Sequence, residues 1–167
     1  MIYKTSWDTL TKIVTAGVTV LYTGIFLNIF INESDLSQGS TYVIGAILIL
    51  SYGITYAFRP LDYRITADKL IIRRPLNEVV IQRSDIAKVE ALESDRLRWS
   101  LRTFGVGGLF GYFGKFYNPK IGSMTWYATR RNNAVLIKTV KGKNIIVTPD
   151  EVAAFVGEFG IPDNVLS

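Results

Sequence analysis

The sequence contains no cysteine and no histidine. Their absence excludes disulfides, thiol nucleophiles, imidazole bases and the usual zinc ligand sets. Hydroxyl, lysine and carboxylate side chains remain for chemistry, and catalytic arrangements built from these alone are uncommon. We therefore predict no enzymatic activity, no metal and no cofactor, with an uncharacterised hydrolase as the catalytic alternative.

Charge of either sign is scarce in the first third of the chain. No charged residue occurs in the nineteen residues from Ile13 to Ile31 or in the run from Thr41 to Phe58. Each run is long enough as a helix to cross a hydrocarbon core of about 30 Å. Because neither run has an amphipathic face, we predict a transmembrane hairpin over residues 1–58, with helices at about 13–31 and 41–58.

Two other interpretations of these runs are a pair of buried helices in a soluble protein and, for the first run, a signal peptide. The first run is too long for a signal peptide, and no small-residue cleavage site follows it. Small and polar residues inside the runs predict packing between the two helices or between copies of the chain. These residues are Gly17, Gly24, Gly45, Gly53 and Asn28.

The distribution of basic residues predicts the orientation of the hairpin. Lys4 and Lys12 precede the first run, residues 32–40 contain no Lys or Arg, and five basic residues follow between Arg59 and Arg74. Basic residues remain on the cytoplasmic side of a membrane. We therefore predict a multi-pass inner-membrane protein with both termini in the cytoplasm.

After Pro60 the sequence changes to short apolar runs separated by turn residues. YRIT, KLIIRR and EVVIQ are strand-like, and turns at Ala67–Asp68 and Pro75–Asn77 separate them, which predicts a meander. TWYATRR, AVLIKTV and KNIIVTP repeat this pattern further along, and their tight spacing predicts antiparallel neighbours.

One helix is predicted to close the domain. Thr148 is the expected N-cap, with Pro149 at the first helical position and Glu151 three residues after the cap. The pattern predicts an α+β fold in which residues 59–167 form an antiparallel barrel or sandwich of roughly seven strands, capped by this helix. The helix face toward the sheet is expected to consist of Val152, Phe155, Val156 and Phe159.

Several segments together resemble a bacterial PH-like (pleckstrin-homology-like) domain. They are YRITADKLIIRR, SDIAKVE, GLFGYFGKFYNPKIG, MTWYATRRNNAVLIKT and TPDEVAAFV. The resemblance covers about residues 60–160, and its most specific part runs from Gly105 to Gly122. It implies a PH-like barrel on a short membrane anchor and supplies no catalytic residues.

The segment GVGGLFGYFGKFYN interleaves glycines with aromatic residues. Its spacing fits neither a Walker loop nor a dinucleotide-binding turn, which argues against phosphate binding. The glycines predict bends and bulges, with the aromatic rings packed on the barrel. Alternatively the segment enters the bilayer interface or docks a partner, through Phe110, Tyr112, Phe113 and Lys115.

A basic cluster precedes this segment, with Arg96, Arg98 and Arg102 around Trp99. It is either a solvated loop or a headgroup-binding patch in which the arginines contact phosphate and Trp99 anchors at the interface. Other basic pairs are interpreted as exposed strand ends, namely Arg73–Arg74 and Arg130–Arg131.

From Arg59 onward the chain carries 17 Lys and Arg against 11 Asp and Glu. This excess favours an anionic partner, and a tethered domain has acidic lipids beside it, so nucleic acid is not expected. We predict a non-enzymatic, membrane-anchored module that binds a protein partner, lipid headgroups or itself. The alternative is an accessory subunit of a transporter, secretion system or envelope enzyme, docked through the hairpin.

Overall fold

The computed structural model describes residues 1–31 and 38–160, which form a helical hairpin and a sheet-rich domain. Helix α1 spans Thr9–Ile31 and helix α2 spans Gln38–Phe58. Both helices begin about one turn earlier than the apolar runs predicted. Most of the predicted connecting loop, residues 32–37, lies outside the described residues.

Among the described residues, α1 is the helix that is long and apolar enough to cross a membrane, with a mean hydropathy of 1.6. Its side chains are mostly exposed, unlike those of a core helix in a soluble protein. The apolar stretch of α2, Tyr42–Phe58, is shorter. Of the two predicted spans, α1 therefore meets the length and hydropathy requirement for crossing a bilayer, and the apolar stretch of α2 is too short to meet it.

The two helices contact each other through hydroxyl groups near the domain. Thr19 Oγ1 lies 2.8 Å from Tyr52 Oη, and Tyr22 Oη lies 3.3 Å from Ser51 Oγ. The prediction that glycines bring the two helices together is wrong, because a Cβ at any of these glycines would meet nothing within 4 Å. The glycines concerned are Gly17, Gly24, Gly45 and Gly53. Packing between copies stays a prediction.

The described part of the domain contains ten strands in two sheets. The first sheet has the order β1-β2-β3-β4, with β1 at Ile2–Lys4, β2 at Asp62–Ile65, β3 at Lys69–Arg73 and β4 at Val79–Gln82. The second has the order β5-β9-β10-β8-β7-β6. Its strands are β5 (Ile86–Leu92), β6 (Leu101–Gly107), β7 (Tyr112–Asn118), β8 (Gly122–Ala128), β9 (Ala134–Thr139) and β10 (Asn144–Val147).

The predicted meander is confirmed, since β2, β3 and β4 are consecutive antiparallel neighbours. The prediction of about seven wholly antiparallel strands is wrong in strand number and in one pairing. Strand β10 lies between β8 and β9 and runs parallel to β8. Thr129, directly after β8, donates its backbone N–H to Thr148 Oγ1 at 3.0 Å, which holds the ends of β8 and β10 side by side.

Strand β1 ties the residues before the hairpin into the domain. It pairs antiparallel with β2, and the buried Tyr3 joins the core. Thr5 Oγ1 then donates to the Thr148 carbonyl at 2.7 Å. Both ends of the hairpin are consequently fixed to the same domain.

The closing helix α3 spans Val152–Gly157 and packs its predicted apolar face on the core, with Phe155 fully buried. Its N-cap is Glu151, which makes no side-chain capping bond. The prediction of Thr148 as N-cap is therefore wrong. The Thr148 side chain is buried and accepts the Thr129 N–H instead.

Two hydrophobic cores lie on opposite faces of the second sheet. The first core, which includes Leu70, Ile72 and Ile137, joins the first sheet to β5, β9 and β10. The second core is centred on Trp126, which stacks on Phe116 with ring centroids 4.5 Å apart. Because the first core takes no buried residue from β6, β7 or β8, the four-stranded sheet leaves part of the wider sheet uncovered.

Candidate binding groove

Phe110 joins the hairpin to the domain. It lies in the turn between β6 and β7, only 5% exposed, with a positive φ of 58°. Its backbone N–H donates to Thr15 Oγ1 at 3.0 Å, and its ring centroid lies 5.1 Å from that of Tyr52 and 5.5 Å from that of Tyr56. The ring therefore contacts α2 while the backbone contacts α1.

Tyr112 belongs to the same junction. Its hydroxyl donates to Asp8 Oδ2 at 3.3 Å, and Asp8 Oδ1 accepts the Thr11 N–H at 2.7 Å. Asp8 thus caps the start of α1 while contacting the barrel. Burial raises the pKa of the Tyr112 hydroxyl, and the negative charge of Asp8 raises it further. In the described structure, Phe110 and Tyr112 therefore hold the hairpin against the domain.

The predicted cationic cluster lies at the opposite end of β6. Trp99 is 70% exposed, and the guanidinium carbon of Arg98 lies 5.7 Å from its ring centroid. Arg96 and Arg102 are also exposed. Trp99 precedes β6, whose seven residues lie between it and the turn that contacts α1. The Arg102 side chain, in contrast, reaches along β6 toward that turn, since a Cβ at Gly107 would lie 3.5 Å from Arg102 Nη1.

Phe113 and Lys115, the remaining predicted residues, line a groove of about 840 Å³. We call it the β4–β6 groove, because β4 forms one wall and β6 the opposite lip. Its volume lies within the range of about 300–1,000 Å³ that is typical of ligand pockets. It occupies the part of the second sheet that the first sheet does not cover.

The floor of the β4–β6 groove is mainly apolar. It contains Val106, Phe113, Tyr127 and Ile145 from four different strands of the second sheet. The wall is β4, whose Val79, Val80 and Ile81 all line the groove.

The two ends of the groove differ in their surroundings. One end is closed by the last turns of α2, through Ile54, Thr55 and Phe58. The other end lies beside Asp85, where the Val140 N–H donates to the Asp85 carbonyl at 2.8 Å. The groove thus leads from the end of the hairpin to the turn between β9 and β10.

Four cations line the groove, and one carboxylate, Asp85, lies with them. Within the described residues none of the four forms an ion pair, although carboxylates elsewhere in the domain pair with Arg64, Arg73, Lys88, Arg130 and Lys138. The lining of the groove therefore carries a net positive charge. The four cations are Arg74, Lys115, Lys141 and Lys143.

Arg74 is the most confined of these cations. Its guanidinium carbon lies 5.2 Å from the Phe58 ring centroid and 5.5 Å from that of Tyr127. Burial lowers the pKa of Arg74, and its Nε atom is buried without a hydrogen-bond partner. An anionic group in the groove would pair with the guanidinium charge and offset its desolvation.

Sequence reasoning missed most of this groove. The sequence pattern indicates an exposed strand end at Arg74, and it does not single out Lys141 or Lys143. The available signal was the imbalance of charge after Arg59, but the pattern of strands does not show which lysines and arginines lack acidic neighbours. Across residues 1–31 and 38–160, no group of three or more acidic side chains is placed to hold a metal ion. The groove thus combines basic side chains with an apolar floor.

A protein-family model described as a bacterial PH domain matches residues 61–159. The match runs from the start of the meander to the residues after α3, and all four groove cations fall inside it. No curated protein and no solved structure shows a significant match to the chain.

Proposed function

Because the chain belongs to the bacterial PH domain family, we propose that it is a membrane-anchored, non-enzymatic module that captures an acidic segment of a partner protein in the β4–β6 groove. The observation that carries this proposal is a set of four cations around an apolar floor, none of which forms an ion pair within residues 1–31 and 38–160. Such a surface binds a ligand that offers carboxylates and apolar side chains together.

The position of the charges favours a polypeptide over a lipid. Arg74 lies at the end of the groove beside α2, whereas Lys141 and Lys143 lie at the far end of the wall. A lipid phosphate is confined to the plane of the headgroups and can satisfy one end. An extended polypeptide can place carboxylates at both ends.

The chain's own charge argues against a second copy as the ligand. Its formal net charge is +5 at pH 7, so the approach of another copy to a basic groove is opposed by repulsion. An acidic partner is attracted by the same field. The preferred occupant is therefore a different protein with an acidic segment.

The hairpin is proposed to place the groove at the cytoplasmic face of the inner membrane. Helix α1 is long and apolar enough to span, and the apolar stretch of α2 is at the lower limit of about 17–25 residues for a span. The distribution of Lys and Arg supports a cytoplasmic location for both termini and the domain. Since the last turns of α2 close one end of the groove, a captured partner would lie close to the bilayer.

Site-specific photo-crosslinking in intact membranes tests this function. A photoreactive amino acid would replace Val80, which lines the groove, or Leu101, which is exposed but outside it. We expect the probe at residue 80 to cross-link an identified peptide rich in Asp and Glu, and the probe at residue 101 to give no such product. Cross-links from residue 80 to lipid or to a second copy alone would contradict the proposal.

A further inference from the structure

The wall of the β4–β6 groove is an open strand edge. Four strands lie at the edges of the two described sheets: β1, β4, β5 and β6. β1, β5 and β6 each contain a charged residue, and β5 and β6 also contain a register irregularity. β4 reads Val-Val-Ile-Gln, without a charge and with continuous register against β3.

Charges and bulges are common devices that prevent an edge strand from pairing with another chain. Since β4 has neither, its outer N–H and C=O groups are unprotected in this respect. These groups face the space above the groove floor, because three of the four β4 residues line the groove, namely Val79, Val80 and Ile81. Among the described edges, β4 is therefore the one suited to accept another strand.

The widths of the two sheets leave room for that strand. The first sheet has four strands and the second has six, and the groove lies over β6, β7 and β8. Facing sheets pack about 10 Å apart, with their side chains filling the space between them. A strand added beside β4 would extend the first sheet over the uncovered floor.

The side chains around the groove fit the alternation of a strand. One face of an added strand would meet the apolar floor of Phe113, Tyr127 and Ile145. The other face would point away from the floor toward solvent, with Lys141 and Lys143 at the end of the groove. Because successive side chains of a strand point to opposite faces, the best ligand alternates apolar and acidic residues.

A second copy of the chain does not satisfy this geometry by antiparallel pairing through β4. The Leu76 N–H, three residues before β4, donates to the Ala57 carbonyl of α2 at 3.0 Å, so β4 begins beside the hairpin and leads away from it. Two copies paired in this way would place their hairpins at opposite ends of the joined sheet. One bilayer could not hold both hairpins.

We infer that the partner binds by strand addition: an extended segment of alternating apolar and acidic residues pairs with β4 as the fifth strand of the first sheet. This inference rests on the proposed function, because it specifies how the same groove recognises its partner. Main-chain hydrogen bonds to β4 supply part of the affinity, and the basic residues supply selectivity for acidic side chains.

The test uses the full chain in detergent and a short synthetic peptide that alternates glutamate and valine. A matched peptide carries N-methyl groups on alternate backbone amides, which removes the hydrogen bonds needed for strand addition while retaining every side chain. Affinity is measured by titration, and amide hydrogen exchange is measured across residues 79–82. A soluble short-chain phosphatidylglycerol serves as the lipid probe.

We expect the unmodified peptide to slow exchange at residues 79–82 and to bind at least about tenfold more tightly than the N-methylated peptide. Val80→Glu should abolish binding, because it places a negative charge in the groove that repels the acidic peptide. Leu101→Glu should leave binding unchanged. Equal affinity for the two peptides would overturn strand addition while the proposed function stands. If neither peptide binds and the phospholipid alone slows exchange at residues 79–82, both the inference and the proposed function are wrong.

Discussion

The guanidinium carbon of Arg74 lies 5.5 Å from the ring centroid of Tyr127, and no carboxylate among the described residues pairs with that arginine. Its neighbour Arg73 has the opposite environment. Arg73 Nε donates to Asp62 Oδ2 at 2.9 Å, and Asp62 is buried. The two adjacent arginines therefore have different roles. Arg73 neutralises a buried carboxylate, whereas Arg74 faces an open groove.

Substitution of the two arginines should separate binding from stability. Arg74→Gln should weaken binding of the glutamate–valine peptide roughly tenfold while leaving the thermal unfolding midpoint nearly unchanged, because it removes a charge without an acidic partner. Arg73→Gln should lower the midpoint and leave peptide affinity unchanged, because the buried Asp62 loses its closest cation. Calorimetry and peptide titration on both variants check this. The reverse pattern would assign the ligand contact to Arg73.

Tyr63 makes the stability of the domain sensitive to high pH. Its hydroxyl is buried, donates to the Tyr127 carbonyl at 2.6 Å and accepts the Thr148 N–H at 3.1 Å. Burial raises its pKa above the ordinary value of 10.0. The folded state therefore retains this proton at pH values where the unfolded state has lost it. The stabilisation is complete below about pH 10 and is lost as the pH rises through the folded pKa.

Tyr63→Phe should consequently flatten the decline of unfolding free energy above about pH 10. It should also lower that free energy by about 2 kcal/mol at neutral pH, because it leaves the buried Thr148 N–H and Tyr127 carbonyl with one partner fewer. Denaturant titrations of the wild type and the variant across this pH range provide the measurement. An identical alkaline decline in both proteins would show that Tyr63 does not carry the effect.

Phe110 and Phe104 provide a matched pair for the junction. Phe110→Ala should destabilise the protein by about 3 kcal/mol, because the ring is buried between the barrel and α2. Phe104 is 77% exposed, so Phe104→Ala should change stability by no more than about 0.5 kcal/mol. Phe104 lines the groove, and its removal should still weaken peptide binding. Equal destabilisation by the two substitutions would contradict the role given to Phe110.

Local patterns predicted the elements whose determinants are local. The alternation in β2, β3 and β4 predicted the meander, and helical spacing predicted that Phe155 faces the core. Strand β1 was missed because three residues before a long apolar helix give no recognisable period. The position of β10 beside β8 depends on contacts such as Thr129 to Thr148, which are remote in the sequence. Thr148 has the composition of an N-cap, but its hydroxyl is engaged elsewhere.

The candidate site was predicted only in part, because its residues are brought together by contacts between segments that are remote in the sequence. Phe113 and Lys115 belong to the groove, but Phe110 and Tyr112 hold the hairpin, and the Trp99 cluster lies at the far end of β6. A sequence shows how many cations a domain has. It does not show that Arg74 lacks a carboxylate while Arg73 has one, because that difference depends on the register of β2 against β3.

The absence of native cysteine allows the orientation of the hairpin to be tested by labelling. Gly39→Cys, at the start of α2, should react with an impermeant maleimide in intact spheroplasts. Val140→Cys, exposed on the domain, should react only after permeabilisation. Reaction of both positions in intact spheroplasts would place the domain outside the cell, and protection of both would indicate that the hairpin does not cross the membrane.

The central claim is that the unpaired cations of the β4–β6 groove recruit an acidic segment, and its most direct test is a titration at increasing salt. The glutamate–valine peptide should bind the wild type, and its affinity should fall as the salt concentration rises. The triple variant Arg74→Gln/Lys141→Gln/Lys143→Gln should bind at least about tenfold more weakly with little salt dependence. Equal affinity and an equal salt dependence for the wild type and the triple variant would contradict the account.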